Sequence, residues 1–156
     1  MIRQVSTEDW ERLRAVRLRA LADAPEAFLE TVEQASTFSE SRWRSRATPT
    51  DSQASFLSDD GGGMVSCFVA DDPQTVFLVG MWVAPEHRGT GVAGELVGRV
   101  VDWARARGCA RVCLSVEPGN DRAARLYEKC GFLETTDPPP LPYEPGPDNR
   151  FFVLSV

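Results

Sequence analysis

Val83-Ala-Pro-Glu-His-Arg-Gly-Thr-Gly-Val-Ala-Gly94 is the stretch from which the rest of the chain can be read. Before it, Val76-Phe-Leu-Val-Gly-Met-Trp-Val83 is an apolar run with the length and β-branched content of a buried strand. After it, Ala93, Leu96, Val97, Val100, Trp103 and Ala104 recur at helical spacing. Glu95, Arg99, Asp102 and Arg105 fall on the opposite face, and Gly108 stands where a helix stops. A strand therefore delivers the chain to a glycine-rich turn that opens a helix.

Gly89 and Gly91 carry no β-carbon, so successive backbone amides can turn toward one point, where the positive end of the helix dipole adds to them. Arg88 supplies a fixed charge beside that point. This arrangement suits a phosphate or pyrophosphate. A tight turn whose glycines only permit close packing meets the same spacing. Gly89-Thr-Gly-Val-Ala-Gly94 is also literally a GxGxxG, with Glu117 placed like an acidic ribose ligand. The dinucleotide reading fails on context. In that fold the first glycine directly ends the first strand, whereas Pro-Glu-His-Arg intervenes here, and too little chain follows Glu117 for two mononucleotide-binding halves.

The segment Val83-x-Pro85-x-x-Arg88-Gly89-x-Gly91-Val92-Ala93 resembles the pyrophosphate motif of the GNAT superfamily of acyl-CoA-dependent N-acetyltransferases, Arg/Gln-x-x-Gly-x-Gly/Ala. Asn120-Asp-Arg-Ala-Ala-Arg-Leu-Tyr127-Glu-Lys-Cys-Gly131-Phe132 resembles the family's later helix, whose Asn and Tyr face the cofactor. Two blocks in order, separated by one helix and one strand, are more specific than either alone. The resemblance implies a mixed α/β (α+β) fold with a mostly antiparallel sheet flanked by helices, residues 1–156 forming one N-acetyltransferase domain. It implies acetyl-CoA as acyl donor and Met81, Trp82, Val83, Arg88, Gly89, Thr90, Gly91, Val92, Ala93, Gly94, Asn120 and Tyr127 as the residues that hold it.

Composition bounds the partners. A length of 156 residues with 42% hydrophobic content suffices for one core. No apolar run approaches a membrane span, and Met-Ile-Arg-Gln-Val-Ser lacks the apolar core of a signal peptide, so a cytoplasmic protein without membrane association is expected. Cys67, Cys109, Cys113 and Cys130 form no CxxC pair and there is a single His, so no metal is expected and the thiols read as buried small hydrophobes in a reducing compartment. The net charge of −6 argues against nucleic acid and favours a cationic acceptor such as an amine; a homodimer is compatible.

In chain order, Ile2 to Val5 reads as a strand, and Ser6 starts a helix with Trp10, Leu13, Val16, Ala20 and Leu21 buried and Arg12, Arg14 and Arg19 solvated. Ala24 to Glu33 reads as a loop or irregular helix, and Ser39 to Ala47 as a second helix. Ala54–Leu57 and Met64–Ala70 read as strands joined through Asp59-Asp-Gly-Gly-Gly63. Arg111–Val116 alternates as another strand, and Phe132-Leu-Glu and Phe151-Phe-Val-Leu are strand-like. Between the last two, Thr135 to Arg150 holds six prolines and cannot form an ordinary hairpin. It is either a stiff loop or a lid that holds Tyr143 and Glu144 over the acceptor.

Acetyl transfer to an amine needs an uncharged nitrogen, a stabilised oxyanion and a proton for the departing thiolate. The resemblance places the thioester where the central strand leaves its neighbour, near Met81 to Val83. Tyr127 is the candidate proton donor, because a phenol is protonated at neutral pH and a thiolate is basic enough to draw its proton. The competing reading is that Tyr127 only packs in the helix face it shares with Ala123 and Cys130. Candidate bases are Glu117, at the exposed end of the strand before Asn120, and Glu30 and Glu33 from the N-terminal loop; each is otherwise a solvated carboxylate. His87 adjoins the phosphate turn, far from the acetyl group, and reads as a surface residue.

Overall fold

In a computed structural model that describes residues 1–156, seven strands form one sheet. They are β1 (Ile2–Gln4), β2 (Gln53–Ser58), β3 (Gly63–Val69), β4 (Thr75–Val83), β5 (Arg111–Val116), β6 (Leu133–Thr135) and β7 (Arg150–Ser155), in the spatial order β1-β2-β3-β4-β5-β7-β6. The helices are α1 (Trp10–Asp23), α2 (Val32–Ser36), α3 (Glu40–Ala47), α4 (Val92–Ala106) and α5 (Asp121–Lys129). Every strand pair is antiparallel except β4 with β5, and that parallel pair is bridged by α4, since parallel neighbours need a crossover.

One departure from the sequence reading has a local cause. Three helices, not two, separate β1 from β2, because Thr31 accepts the amide of Gln34 at 3.1 Å while the Gln34 side chain accepts the Thr31 amide at 2.9 Å. That reciprocal cap starts α2 at the end of the stretch read as a loop or irregular helix. The last two strands pair, Leu133 opposite Val153 through Thr135 opposite Phe151, across a long connection rather than an ordinary hairpin turn, with all six prolines in the connection and none in the ladder.

Gly80 decides how the sheet divides its faces. The β3–β4 register runs Ser66 opposite Val79 but Met64 opposite Trp82, so β4 carries one extra residue there, and Gly80 takes a positive φ of 63°. Because side chains alternate, one inserted residue exchanges the faces. Below the bulge, Val76 and Leu78 lie in the core under Leu96, Val97, Val100 and Ala104 of α4; above it Met81 and Val83 take that side. Trp82 is turned to the other face, with Leu13, Val16 and Ala20 of α1 and Ala47 of α3. Burying each larger aliphatic side chain in these layers stabilises by roughly 1.5–3 kcal/mol. No helix is long and apolar enough to cross a membrane.

The β4–β5 ladder ends at Phe77 opposite Cys113, whereas β5 stays paired with β7 as far as Val116 opposite Arg150. Past Phe77 the β5-facing edge of β4 has no strand partner. The two parallel strands part there.

Candidate active site

A cleft of about 1170 Å³ opens at that parting. Its lining includes Met81, Trp82 and Val83 of β4, Arg88, Gly89 and Gly91 of the turn, and Val92, Ala93 and Gly94 at the start of α4. Glu117, Asn120, Tyr127, Glu30, Tyr143 and Glu144 line the same cleft. Two of the sequence candidates stand apart. Thr90 is exposed and its hydroxyl donates to the carbonyl of His87, bracing the turn from outside. Glu33 lies on the exposed first turn of α2, outside the lining, so the geometry does not bring this carboxylate to the other candidates.

The turn has free donors. The first bond of α4 runs from the Glu95 amide to the Gly91 carbonyl at 3.1 Å, so the amides of Val92, Ala93 and Gly94 point out of the helix start with no backbone acceptor. Gly91, the residue at the helix mouth, has φ of 90° and Gly89 has φ of 81°, and a β-carbon at either would meet no atom within 4 Å. That is a concave set of amides at the positive end of a 15-residue helix, able to hold an anion. Arg88 is turned aside from it: its Nε donates to the Val83 carbonyl at 3.2 Å and its Nη2 to Asp23 at 3.1 Å.

Tyr127 is 5% exposed, with its ring edge-on to Phe132 at 5.7 Å. Its hydroxyl has no hydrogen-bond partner in the protein, although the residue lines the cleft. Burial, with the Cys130 thiol nearby, pushes its pKa above the ordinary phenol value, so the group stays protonated. Asn120 accepts the Ala123 amide at 3.2 Å and caps α5, which aims the helix carrying Tyr127. Glu117 is exposed at the end of β5. His87 also lines the cleft, at the turn end, with its ring packed on the backbone of Gly62 and Nε2 3.6 Å from Asp60.

Several cleft residues are absent from the sequence reading. Arg17 of α1 and Arg46 of α3 enclose Glu30, with Arg17 Nε at 3.1 Å and Arg46 Nη2 at 2.7 Å. Burial would raise the Glu30 carboxyl, but hydrogen bonds and charge from Arg46 and Arg17 outweigh it and hold the pKa below the usual range. Glu30 is therefore a poor base. Only its three-dimensional neighbours reveal this, since the partners lie 13 and 16 residues away. From the proline-rich connection, Tyr143 reaches Ser115 of β5, with hydroxyls 2.8 Å apart. The segment thus touches the cleft wall, and burial raises the Tyr143 pKa against the lowering effect of that hydrogen bond.

The sequence pattern of the acetyltransferase (GNAT) family matches residues 18–132. Mycothiol acetyltransferase of Thermobispora bispora is 33% identical over 138 residues, which is 82% of this chain and 44% of that protein. Aminoglycoside N(6')-acetyltransferase type 1 of Salmonella typhimurium is 34% identical over 65 residues, 42% of this chain and 45% of that protein. The chain thus spans under half the length of these curated relatives. Among solved structures, yncA of Salmonella typhimurium, a putative acetyltransferase with its cofactor acetyl-CoA, superposes with a TM-score of 0.74 at 21% identity, covering 99% of this chain and 92% of that one. With a family match across most of its length and the fold that goes with it, the chain belongs to the acetyltransferase (GNAT) family.

Proposed function

We propose that the chain moves the acetyl group of acetyl-CoA directly to a primary amine of a small molecule, residues 1–156 acting as one N-acetyltransferase unit. The observation that carries this is the meeting, in one cleft, of a free strand edge, a helix start with unpaired amides and an unpartnered tyrosine hydroxyl. The amides of Val92 to Gly94 would hold the pyrophosphate, with Arg88 exchanging Asp23 for it, and the β4 edge near Met81 to Val83 would bind the pantetheine arm and polarise the thioester carbonyl. The names of both curated relatives support a small-molecule acceptor. The four cysteines are unpaired thiols, which suits a reducing compartment such as the cytoplasm.

The amine nitrogen attacks the thioester carbon and the carbonyl electrons move to oxygen. As the tetrahedral intermediate collapses, the C–S bond breaks with its electron pair going to sulfur, which takes the Tyr127 proton. The amine proton leaves to water, with Glu117 as the carboxylate available to accept it; Tyr127 is then reprotonated from solvent.

Calorimetric titration with acetyl-CoA tests the site. Gly91→Val should abolish binding, because the side chain fills the amide cradle. The same change at Gly108, which has a positive φ of 71° and open space at the other end of α4, imposes comparable backbone strain without touching the cradle. Equal loss in both variants would mean that helix damage, not a blocked cradle, weakens binding.

A further inference from the structure

The acceptor end of the cleft carries an unbalanced charge. Glu30 uses both oxygens on arginines: Oε2 accepts Arg17 Nε and Arg46 Nη1 at 3.1 Å each, and Oε1 accepts Arg46 Nη2 at 2.7 Å. One carboxylate thus faces two guanidinium groups. The side chains are enclosed, with 14% exposure for Glu30, 19% for Arg17 and 33% for Arg46. The terminal nitrogens of Arg17 donate to nothing in the protein, and Nη1 lies 3.6 Å from where a β-carbon on Gly80 would stand. Gly80 is the bulge of β4, beside the strand parting.

We infer that the acceptor amine also carries a carboxylate, which Arg17 receives with support from Arg46. This rests on the acetyltransferase reading above. A guanidinium removed from water is stabilised by an anion that matches its fork of donors, and a carboxylate does so through two parallel hydrogen bonds. The rings fix the direction of that fork: Arg17 lies over Phe28 at 4.6 Å, and Arg46 is flanked by Phe38 at 4.8 Å and Trp43 at 5.2 Å. A brace whose work was only to tie Glu30 down would need one arginine. Burial depresses the Arg17 pKa and Glu30 offsets this in part, while the like charge of Arg46 lowers it further, as expected of a cation short of one counter-charge. An acceptor with no anion would meet net positive charge here, since the local carboxylate is saturated. The cationic character inferred from the overall charge of −6 therefore does not describe this end of the cleft.

The test compares α-amino acids with their primary amides as acceptors, pair by pair, in wild type, Arg17→Gln and Arg46→Lys. The acids should be favoured in kcat/KM by about tenfold or more, the scale of one charge-assisted bidentate contact. That preference should collapse in Arg17→Gln and shrink in Arg46→Lys, with acetyl-CoA affinity retained in both as the sign of an intact fold. Amides used as well as the acids by wild type, or a preference untouched by either variant, would overturn the inference. If no amine of any kind is acetylated, the acetyltransferase reading fails on its own, and calorimetry with N-acetyl amino acids against their amides in the presence of CoA still decides this point. Selective binding of the acids, lost in Arg17→Gln, supports the carboxylate subsite, and equal or absent binding of acids and amides removes it.

Discussion

Arg88 Nη2 donates to Asp23 Oδ2 at 3.1 Å, and the same oxygen accepts the indole N–H of Trp82 at 2.9 Å. Asp23 is the last residue of α1, so one carboxylate ties that helix to both the central strand and the glycine turn. In Asp23→Ala the indole N–H of the buried Trp82 loses its acceptor, a cost of about 1–3 kcal/mol. Asp23→Asn keeps an acceptor for the indole and loses only a half-exposed ion pair, so about 1 kcal/mol or less is expected. Urea unfolding of the two variants checks the difference; equal stabilities would assign no weight to the indole bond.

Alkaline pH should destabilise the fold through buried thiols. Burial pushes Cys67 up to about 12 and Cys113 up to about 11. In the unfolded chain both ionise near about 8.5, so above that pH the unfolded state releases protons that the folded state keeps, and stability falls as pH rises. Between the unfolded and folded values each thiol contributes a slope of at most about 1.4 kcal/mol per pH unit. Unfolding free energies at pH 8 and pH 10 should show the decline, and the double change Cys67→Ala, Cys113→Ala should flatten it even if it lowers stability throughout. An unchanged slope would refute the assignment to these thiols.

The Tyr143–Ser115 contact makes the proline-rich connection a lid candidate at the acceptor side of the cleft. Replacing residues 138–147 with a short glycine linker should change the acceptor KM or preference and leave acetyl-CoA affinity within about twofold, a small free-energy difference. Loss of CoA affinity with unaltered acceptor kinetics would place the segment at the wrong end.

Tyr127→Phe keeps the ring that packs on Phe132 and removes the hydroxyl. The isolated acetyl-transfer step, measured in single turnover so that product release cannot mask it, should slow by about 10²-fold or more. Because burial raises its pKa, Tyr127 should cause no loss of rate on the alkaline side up to about pH 10, where an ordinary phenol would already be half ionised. A rate within about twofold of wild type, far below the usual contribution of a general acid, would make Tyr127 a packing residue.

The β4–turn–α4 unit is legible because its periodicity is local and its glycines serve backbone geometry, whereas the helix carrying Tyr127 is legible through its resemblance to the family's later helix. The bulge at Gly80 had a signal, a lone glycine inside an apolar run, whose meaning depends on a register that only pairing with β3 reveals. Arg17 and Arg46 were not legible as site residues. Arginines on a short amphipathic helix usually face solvent, and nothing along the chain says that two of them converge on Glu30 over the β4 bulge. Glu33, three residues from Glu30, shows the converse: a carboxylate in the right segment but on the outer turn of α2.

Acetyl transfer itself is tested most directly by incubating the protein with acetyl-CoA and a panel of small primary amines, following free CoA thiol and the mass of the products. The expected result is release of thiol in step with one N-acetylated amine, suppressed in Gly91→Val. Saturable acetyl-CoA binding with no amine acetylated and no thiol released across the panel would contradict catalysis and leave an acyl-CoA-binding protein in its place.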